Sequence, residues 1–201
     1  DERGNRRMGK ILIACEYSGT VRDAFAKMGH DAWSCDILPT DVEGQHYQCD
    51  IADVIDKGWD LMIAHPPCTH LAVSGAMHFA VKKADGRQDA ALTFVSMLLD
   101  AQIPHIALEN PISIISTRIR KPDQIIQPWM FGHMEQKSTC LWLKGLPKLT
   151  PTNNVKEEML KLPRNQRERL HYLPPSPDRW KIRSTTFQGI ADAMAAQWGA
   201  L

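Results

Sequence analysis

Apolar residues recur along this chain in short runs bounded by polar or turn residues, the pattern of buried strands. The runs predict strands over Lys10–Ala14, Ala32–Cys35, Tyr47–Cys49, Leu61–His65, His105–Glu109 and Thr139–Leu143. Between several of them the period lengthens. Val21, Ala24, Phe25 and Met28 fall at helical spacing, opened by a Thr20-x-x-Asp23 capping box and closed by Gly29. Ala91, Leu92, Val95, Leu98 and Leu99 mark a second amphipathic helix, and Ile190, Ala193, Met194 and Trp198 a third. Strands alternating with helices predict an α/β fold, with a mostly parallel sheet covered by helices on both faces. Such sheets bind ligands at the carboxyl ends of their strands.

One segment departs from this alternation. Pro147, Pro151, Pro163, Pro174, Pro175 and Pro177 fall within 147–185 among many charges, which predicts an irregular excursion or lid. The expected organisation is therefore an α/β core over 8–146, a Pro-rich basic insertion over 147–185, and a helix over 186–201 returning to the core.

Composition narrows the class. With 201 residues, 43% apolar and 23% charged, the chain can bury one substantial core without disulfides or a structural metal. No run approaches the roughly 20 apolar residues of a membrane span, so no membrane association is expected. The polar stretch Asp1–Lys10 lacks the apolar core of a secretory signal, and Met8 reads as an original start behind a leader. Five cysteines, odd in number and without a C-x-x-C pair, argue against a disulfide framework or zinc ribbon and suit a reducing cytoplasm. His65 and His70 flank a loop at the wrong spacing for a zinc helix, so no metal site is expected. The tryptophans form no stacking platform; Trp33, Trp142 and Trp198 are expected in the core. The net charge of +1 conceals an asymmetry: residues 1–101 carry ten basic and fifteen acidic side chains, residues 102–201 fourteen and eight. The second half is the expected face for a phosphate-bearing partner.

Candidate chemistry gathers just after the predicted strands. Cys15-Glu16-Tyr17-Ser18-Gly19 forms a tight turn into a helix N-terminus, where backbone N–H groups can approach a ligand. It is not G-x-G-x-x-G, and a plain structural turn remains open. Asp36 and Asp50 end two further strands and can accept hydrogen bonds from ribose hydroxyls and a base amino group. His65-Pro66-Pro67-Cys68 places a thiol on a rigid turn at the ligand edge, where it becomes a nucleophile only as thiolate. Glu109-Asn110-Pro111 sets a carboxyl group beside an amide at the next strand end, suited to acid catalysis or simply to a turn. Cys68 with Glu109 makes a nucleophile-plus-acid pair.

At these residues the chain resembles the cytosine-C5 DNA methyltransferase family, more closely its short, phage-encoded methyltransferase-like members. The resemblance runs from about Lys10 to Leu143, with a last piece near Thr186–Gly199. Cys15–Gly19 resembles the cofactor loop, Asp36-Ile37 the ribose-binding acid and its neighbour, and Asp50-Ile51 the adenine contact. Pro66-Pro67-Cys68, with Ser74-Gly75 beyond, resembles the catalytic loop, and Glu109-Asn110 the Glu-Asn motif. Gln136-Lys137-Ser138-Thr139 is a weaker echo of a Gln-x-Arg-x-Arg segment and lacks both arginines. His65 stands where small or acidic residues are usual.

The resemblance implies a class I S-adenosylmethionine-dependent methyltransferase fold, Rossmann-like. It implies S-adenosylmethionine as cofactor, held by Cys15, Glu16, Tyr17, Ser18, Gly19, Asp36, Ile37, Asp50, Ile51 and Pro66. It further implies Cys68 and Glu109 as catalytic residues, and Pro67, Ser74, Asn110, Lys137 and Thr139 on the substrate side. The expected substrate is cytosine in DNA, with duplex, single strand and a free pyrimidine nucleotide all open, because 147–185 is short for a target-recognition domain. A silent cofactor-binding regulator, or transfer of a larger group from a modified cofactor, are the alternatives. The expected location is the cytoplasm, a host's if the chain is phage-encoded.

Overall fold

The computed structural model describes residues 8–69, 71 and 86–201. Seven strands, β1 Lys10–Ala14, β2 Asp31–Asp36, β3 His46–Gln48, β4 Leu61–Ala64, β5 His105–Pro111, β6 Gln124–Ile126 and β7 Thr139–Lys144, form one sheet in the order β3-β2-β1-β4-β5-β7-β6. The first five in that order run parallel; β7 is antiparallel to both β5 and β6. The six expected strands are present, with ends shifted by one or two residues. Sequence reading missed β6, whose three residues are too few to show a period. It also could not see that β7 reverses.

The described helices are α1 Thr20–Lys27, α2 Arg87–Leu99, α3 Ile115–Arg118, α4 Lys156–Leu160, α5 Arg164–Arg167, α6 Arg179–Ser184 and α7 Gln188–Trp198. Alternation along the strands splits the core between two faces. Ile11, Ile13, Ile63 and Ala107 pack with Phe25 of α1 and Met194 and Trp198 of α7 on one face. Leu12, Met62, Ile106 and Leu108 pack with Leu92, Val95 and Leu98 of α2 on the other. Strands buried on both faces read as the continuous apolar runs LMIA and KILIA. Trp142 and Trp198 are buried as expected, but Trp33 is half-exposed on the second-from-edge strand, stacked on Tyr47 at 4.6 Å.

The capping-box expectation is corrected. Thr20 is the first residue of α1, not its cap; the cap is Gly19 at φ 77°, which has no side chain to cap with. Glu16 does that work from four residues upstream. Its carboxylate accepts from the Val21 and Arg22 backbone N–H groups at 3.0 and 3.1 Å, satisfying orphan donors of the helix and opposing its dipole.

Arg22 is 1% exposed, an unusual place for a guanidinium. All five of its N–H donors are used. Nε reaches Asp23, one terminal nitrogen Ser34 and Thr40, and the other the carbonyls of Val42 and Glu43. The group thus staples the loop between β2 and β3 to α1 and holds the carboxyl end of β2 in place. A Cβ at Gly44 would run into it, which is why the loop carries glycine there. Replacing Arg22 with Met is expected to cost about 2–3 kcal/mol in urea unfolding, whereas Thr40→Ala, removing one partner of five, costs about 1 kcal/mol.

Candidate functional site

The parallel strands β1, β2, β3, β4 and β5 all end at one edge of the sheet, and β7 begins there, with Thr139 opposite Pro111. The candidate site follows that edge from β3 to β5.

After β1 the chain turns at Cys15, the one non-glycine residue with positive φ (61°) among the described residues. A side chain in that conformation costs on the order of 1–2 kcal/mol, and such strain concentrates where a backbone must face a ligand. Burial, then the charges of Asp36 and Asp50, push the Cys15 thiol up to about 12. The two acids therefore lie within electrostatic reach of the same turn. Asp36 accepts from the Leu38 N–H at 2.9 Å, and its carboxyl is raised by burial. Asp50 is exposed and caps a short 3-10 turn through the Ala52 N–H. Ile37 is exposed, whereas the Ile51 side chain is buried in the core. Glu16 is raised by burial, with His65 and the α1 N–H groups acting the other way. Tyr17 is buried, and its hydroxyl pairs with Ser184 at 2.8 Å. Ser18 accepts from the Thr20 N–H at 3.3 Å.

After β4, His65 and Glu109 meet. The β4–β5 register pairs Ala64 with Leu108, so the next residues stand opposite, and His65 Nδ1 lies 2.8 Å from Glu109 Oε2. The imidazole is 10% exposed and the carboxylate 20%. Burial opposes charge on His65, but the Glu109 hydrogen bond and charge, joined by Glu16, outweigh it and hold its pKa above the ordinary 6.5. Burial likewise opposes charge on Glu109, yet the His65 bond and charge, with Lys137, hold it below 4.5. Each partner thus favours the charged form of the other, the imidazolium on His65 and the carboxylate on Glu109.

The loop beyond is fixed from β5. Asn110 is buried and donates from Nδ2 to the Pro66 carbonyl at 3.0 Å. Pro66 is buried; Pro67 and Cys68 are exposed. The sulfur is thus outside the core packing, near enough to Glu109 to be influenced by it. Residual desolvation and the Glu109 charge raise the Cys68 thiol, while Lys137, its own backbone N–H and Arg183 act to lower it. Lys137 is anchored by its N–H on Gln127 and its Nζ on the Arg183 carbonyl at 2.7 Å. Thr139 is buried at the start of β7. Ser74 lies outside the described residues, as does Gly75.

The Pro-rich segment reaches this edge. It carries three short helices, α4, α5 and α6, and is tied down by Gln136 N–H on the Arg167 carbonyl, by Tyr17–Ser184 and by Lys181–Asp41. Together with Cys15–Ser18 and His65, Ser184, Thr185 and Thr186 line a small recess of about 40 Å³. Sequence reading missed these three hydroxyl residues and the His65–Glu109 pair, because each depends on which strands and loops become neighbours. Among the described residues no cluster of three His, Cys, Asp or Glu side chains could hold a metal, and no helix is long and apolar enough to cross a membrane.

A seven-stranded, mostly parallel sheet of this order, with β7 reversed and helices on both faces, is a Rossmann-like fold of the class I methyltransferase type. Among solved structures, the chain is similar to a prophage-encoded E. coli protein described as a candidate DNA modification methyltransferase. The two are 16% identical over 77% of this chain and 55% of that one, with a TM-score of 0.45. It is also similar to the Entamoeba histolytica methyltransferase EhMeth, at 14% identity over 74% of this chain and 58% of that one, with a TM-score of 0.48. The chain spans less than three fifths of the length of either. No protein-family profile matches the chain, and no curated protein does.

Two outcomes follow from the site's electrostatics. Glu109→Gln removes the charge that raises Cys68, so alkylation of Cys68 by iodoacetamide at about pH 8 should accelerate by roughly threefold or more, and Lys137→Met should slow it; peptide mass mapping reads both. The ion pair also carries a pH signature. The lowered Glu109 stabilises the fold above its unfolded value of 4.5 and loses this as pH falls; the raised His65 does so below 6.5 and loses it as pH rises. The stability difference between wild type and His65→Asn should therefore be greatest between pH 4.5 and 6.5 in denaturant titrations.

Proposed function

We propose that this protein is an S-adenosylmethionine-dependent methyltransferase acting on C5 of cytosine, with DNA as the substrate. The observation that carries the reading is an exposed thiol and a paired carboxylate after adjacent strands at one sheet edge, within electrostatic reach of each other, next to a strained turn and two acids. The order of strand ends matches the order of parts in a nucleoside-linked cofactor. That order supports a reading in which Asp50 and Asp36 would take the base and ribose, the Cys15–Ser18 turn the 5′ chain, and Cys68 with Glu109 the acceptor.

The fit of the cofactor rests on three features. Cys15 holds a positive φ, the polar residues Ser184, Thr185 and Thr186 line the recess, and His65 Nε2 is buried without a partner among the described residues. Bound there, S-adenosylmethionine would supply an electrophilic methyl group. The residues of the chain supply the rest. C5 of cytosine is a poor nucleophile, so the Cys68 sulfur adds as thiolate to C6, splitting one hard step into two. Glu109 contacts N3, and the proton shared in its pair with His65 is the one available as N3 becomes basic. Electron density then rises at C5, which takes the methyl group; a base then removes the C5 proton, Cys68 leaves C6 as thiolate, and N3 returns its proton to the Glu109–His65 pair, which restores the ring. In duplex DNA the base must first leave the stack, at a few kcal/mol.

One observation favours a smaller substrate as the second reading. Several basic residues of 147–185 are occupied within the protein: Arg164 with Glu168, Arg169 with Glu135 and Lys181 with Asp41. That leaves fewer for phosphates, and suits a free pyrimidine nucleotide modified by the same thiol chemistry.

Transfer of labelled methyl from S-adenosylmethionine to duplex DNA, single strand and dCMP, side by side, tests both. Label in DNA is expected; label confined to the mononucleotide overturns the DNA assignment. Cys68→Ser should reduce turnover by about a thousandfold or more, with S-adenosylhomocysteine binding retained by calorimetry. Retained turnover removes the covalent step, and unaltered biological activity in that variant points to a silent regulator.

A further inference from the structure

His65 has a nitrogen that the proposed chemistry leaves unused. Nδ1 is committed to Glu109, while Nε2 is buried and has no partner among the described residues, and the ring lines the recess beside Cys15–Ser18 and Ser184–Thr186. An orphaned polar atom in a buried ring costs about 1–3 kcal/mol unless something in the recess pairs with it. The residue's position says what that something is. Along the edge, Asp36 ends β2, the Cys15 turn follows β1 and His65 follows β4, its strands adjacent in the order β2-β1-β4. A nucleoside with its ribose at Asp36 therefore sends its 5′ substituent toward His65.

We propose that His65 is the specificity-determining residue of this recess, its Nε2–H donating to the carboxylate at the amino-acid end of the cofactor. The inference rests on the cofactor reading above and adds a residue and a ligand group to it. The charged groups facing the ring favour a donor role. Glu109 on β5 fixes Nδ1 as N–H, and Glu16 after β1 also favours the imidazolium. Lys137, before β7, opposes that protonation but adds positive charge to the same neighbourhood. The Glu16 carboxylate is turned to two α1 N–H groups and makes no hydrogen bond to Nε2. A ring with N–H on both nitrogens asks its ligand for an acceptor, and an anionic one pairs best.

Two probes separate the ends of the ligand. S-adenosylhomocysteine carries the amino acid; 5′-methylthioadenosine has the same nucleoside and thioether sulfur without it. Calorimetry with the full chain should give a preference for S-adenosylhomocysteine of about tenfold or more, the worth of one charge-assisted hydrogen bond. His65→Asn, which keeps a donor near Glu109 but has nothing at the Nε2 position, should abolish that preference while binding 5′-methylthioadenosine unchanged. His65→Gln, whose amide reaches the Nε2 position, should restore part of it. In wild type the preference should fall as pH rises and the imidazolium loses its proton. Equal weakening of both probes by His65→Asn, or a preference that grows with pH, overturns the proposal and leaves the cofactor reading standing. Failure of wild type to bind either probe removes the cofactor reading itself, and the proposal with it.

Discussion

An imidazole and a carboxylate, both half-buried and 2.8 Å apart across two neighbouring strands, organise the candidate site at the carboxyl edge of the sheet. Each would be costly to bury charged and alone, and each offsets the other's desolvation. Their meeting depends on parallel pairing of β4 with β5 in one register: a shift of a single residue would send the Glu109 side chain to the opposite face. Asn110, the next residue, points to that opposite face and binds the Pro66 carbonyl. The same stretch of β5 therefore sets the charge of the site with one residue and the position of the thiol loop with the next.

The thiol sits in an environment that does not, by itself, activate it. Desolvation, then Glu109, raises Cys68, and the two positive charges that oppose this come from outside the parallel strands, Lys137 before β7 and Arg183 in α6. Lys137 Nζ is tied to the Arg183 carbonyl. The balance between thiol and thiolate thus depends on how the Pro-rich segment is docked against the sheet. Tyr17 on the Cys15 turn and Ser184 in α6 make a further tie at the recess. The segment sequence analysis treated as an irregular excursion is ordered into three short helices and supplies part of the candidate site.

Glu16 illustrates how one residue can satisfy a motif and do something different. It lies in the turn that resembles a cofactor loop, yet its carboxylate is spent on the first N–H groups of α1. What the turn offers a ligand is the strained backbone at Cys15 and the ring of Tyr17, with the acids of β2 and β3 to one side.

The alternation of apolar runs and helical spacing was enough to place six of the seven strands and the three long helices, because burial on both faces of a parallel sheet demands near-continuous apolar stretches. Chain position also put Cys15, Asp36, His65, Cys68 and Glu109 at strand ends, where this class of sheet meets its ligands. Which of these would touch was not legible. The short strand β6, the reversal of β7, the burial of Arg22 under five hydrogen bonds and the joining of His65 to Glu109 all depend on strand order and register. So does the arrival of Ser184–Thr186 over the Cys15 turn. A local pattern records how much of each side chain is buried; partners distant in sequence are chosen only when the sheet assembles and the desolvation of each charge has to be balanced by whatever stands next to it.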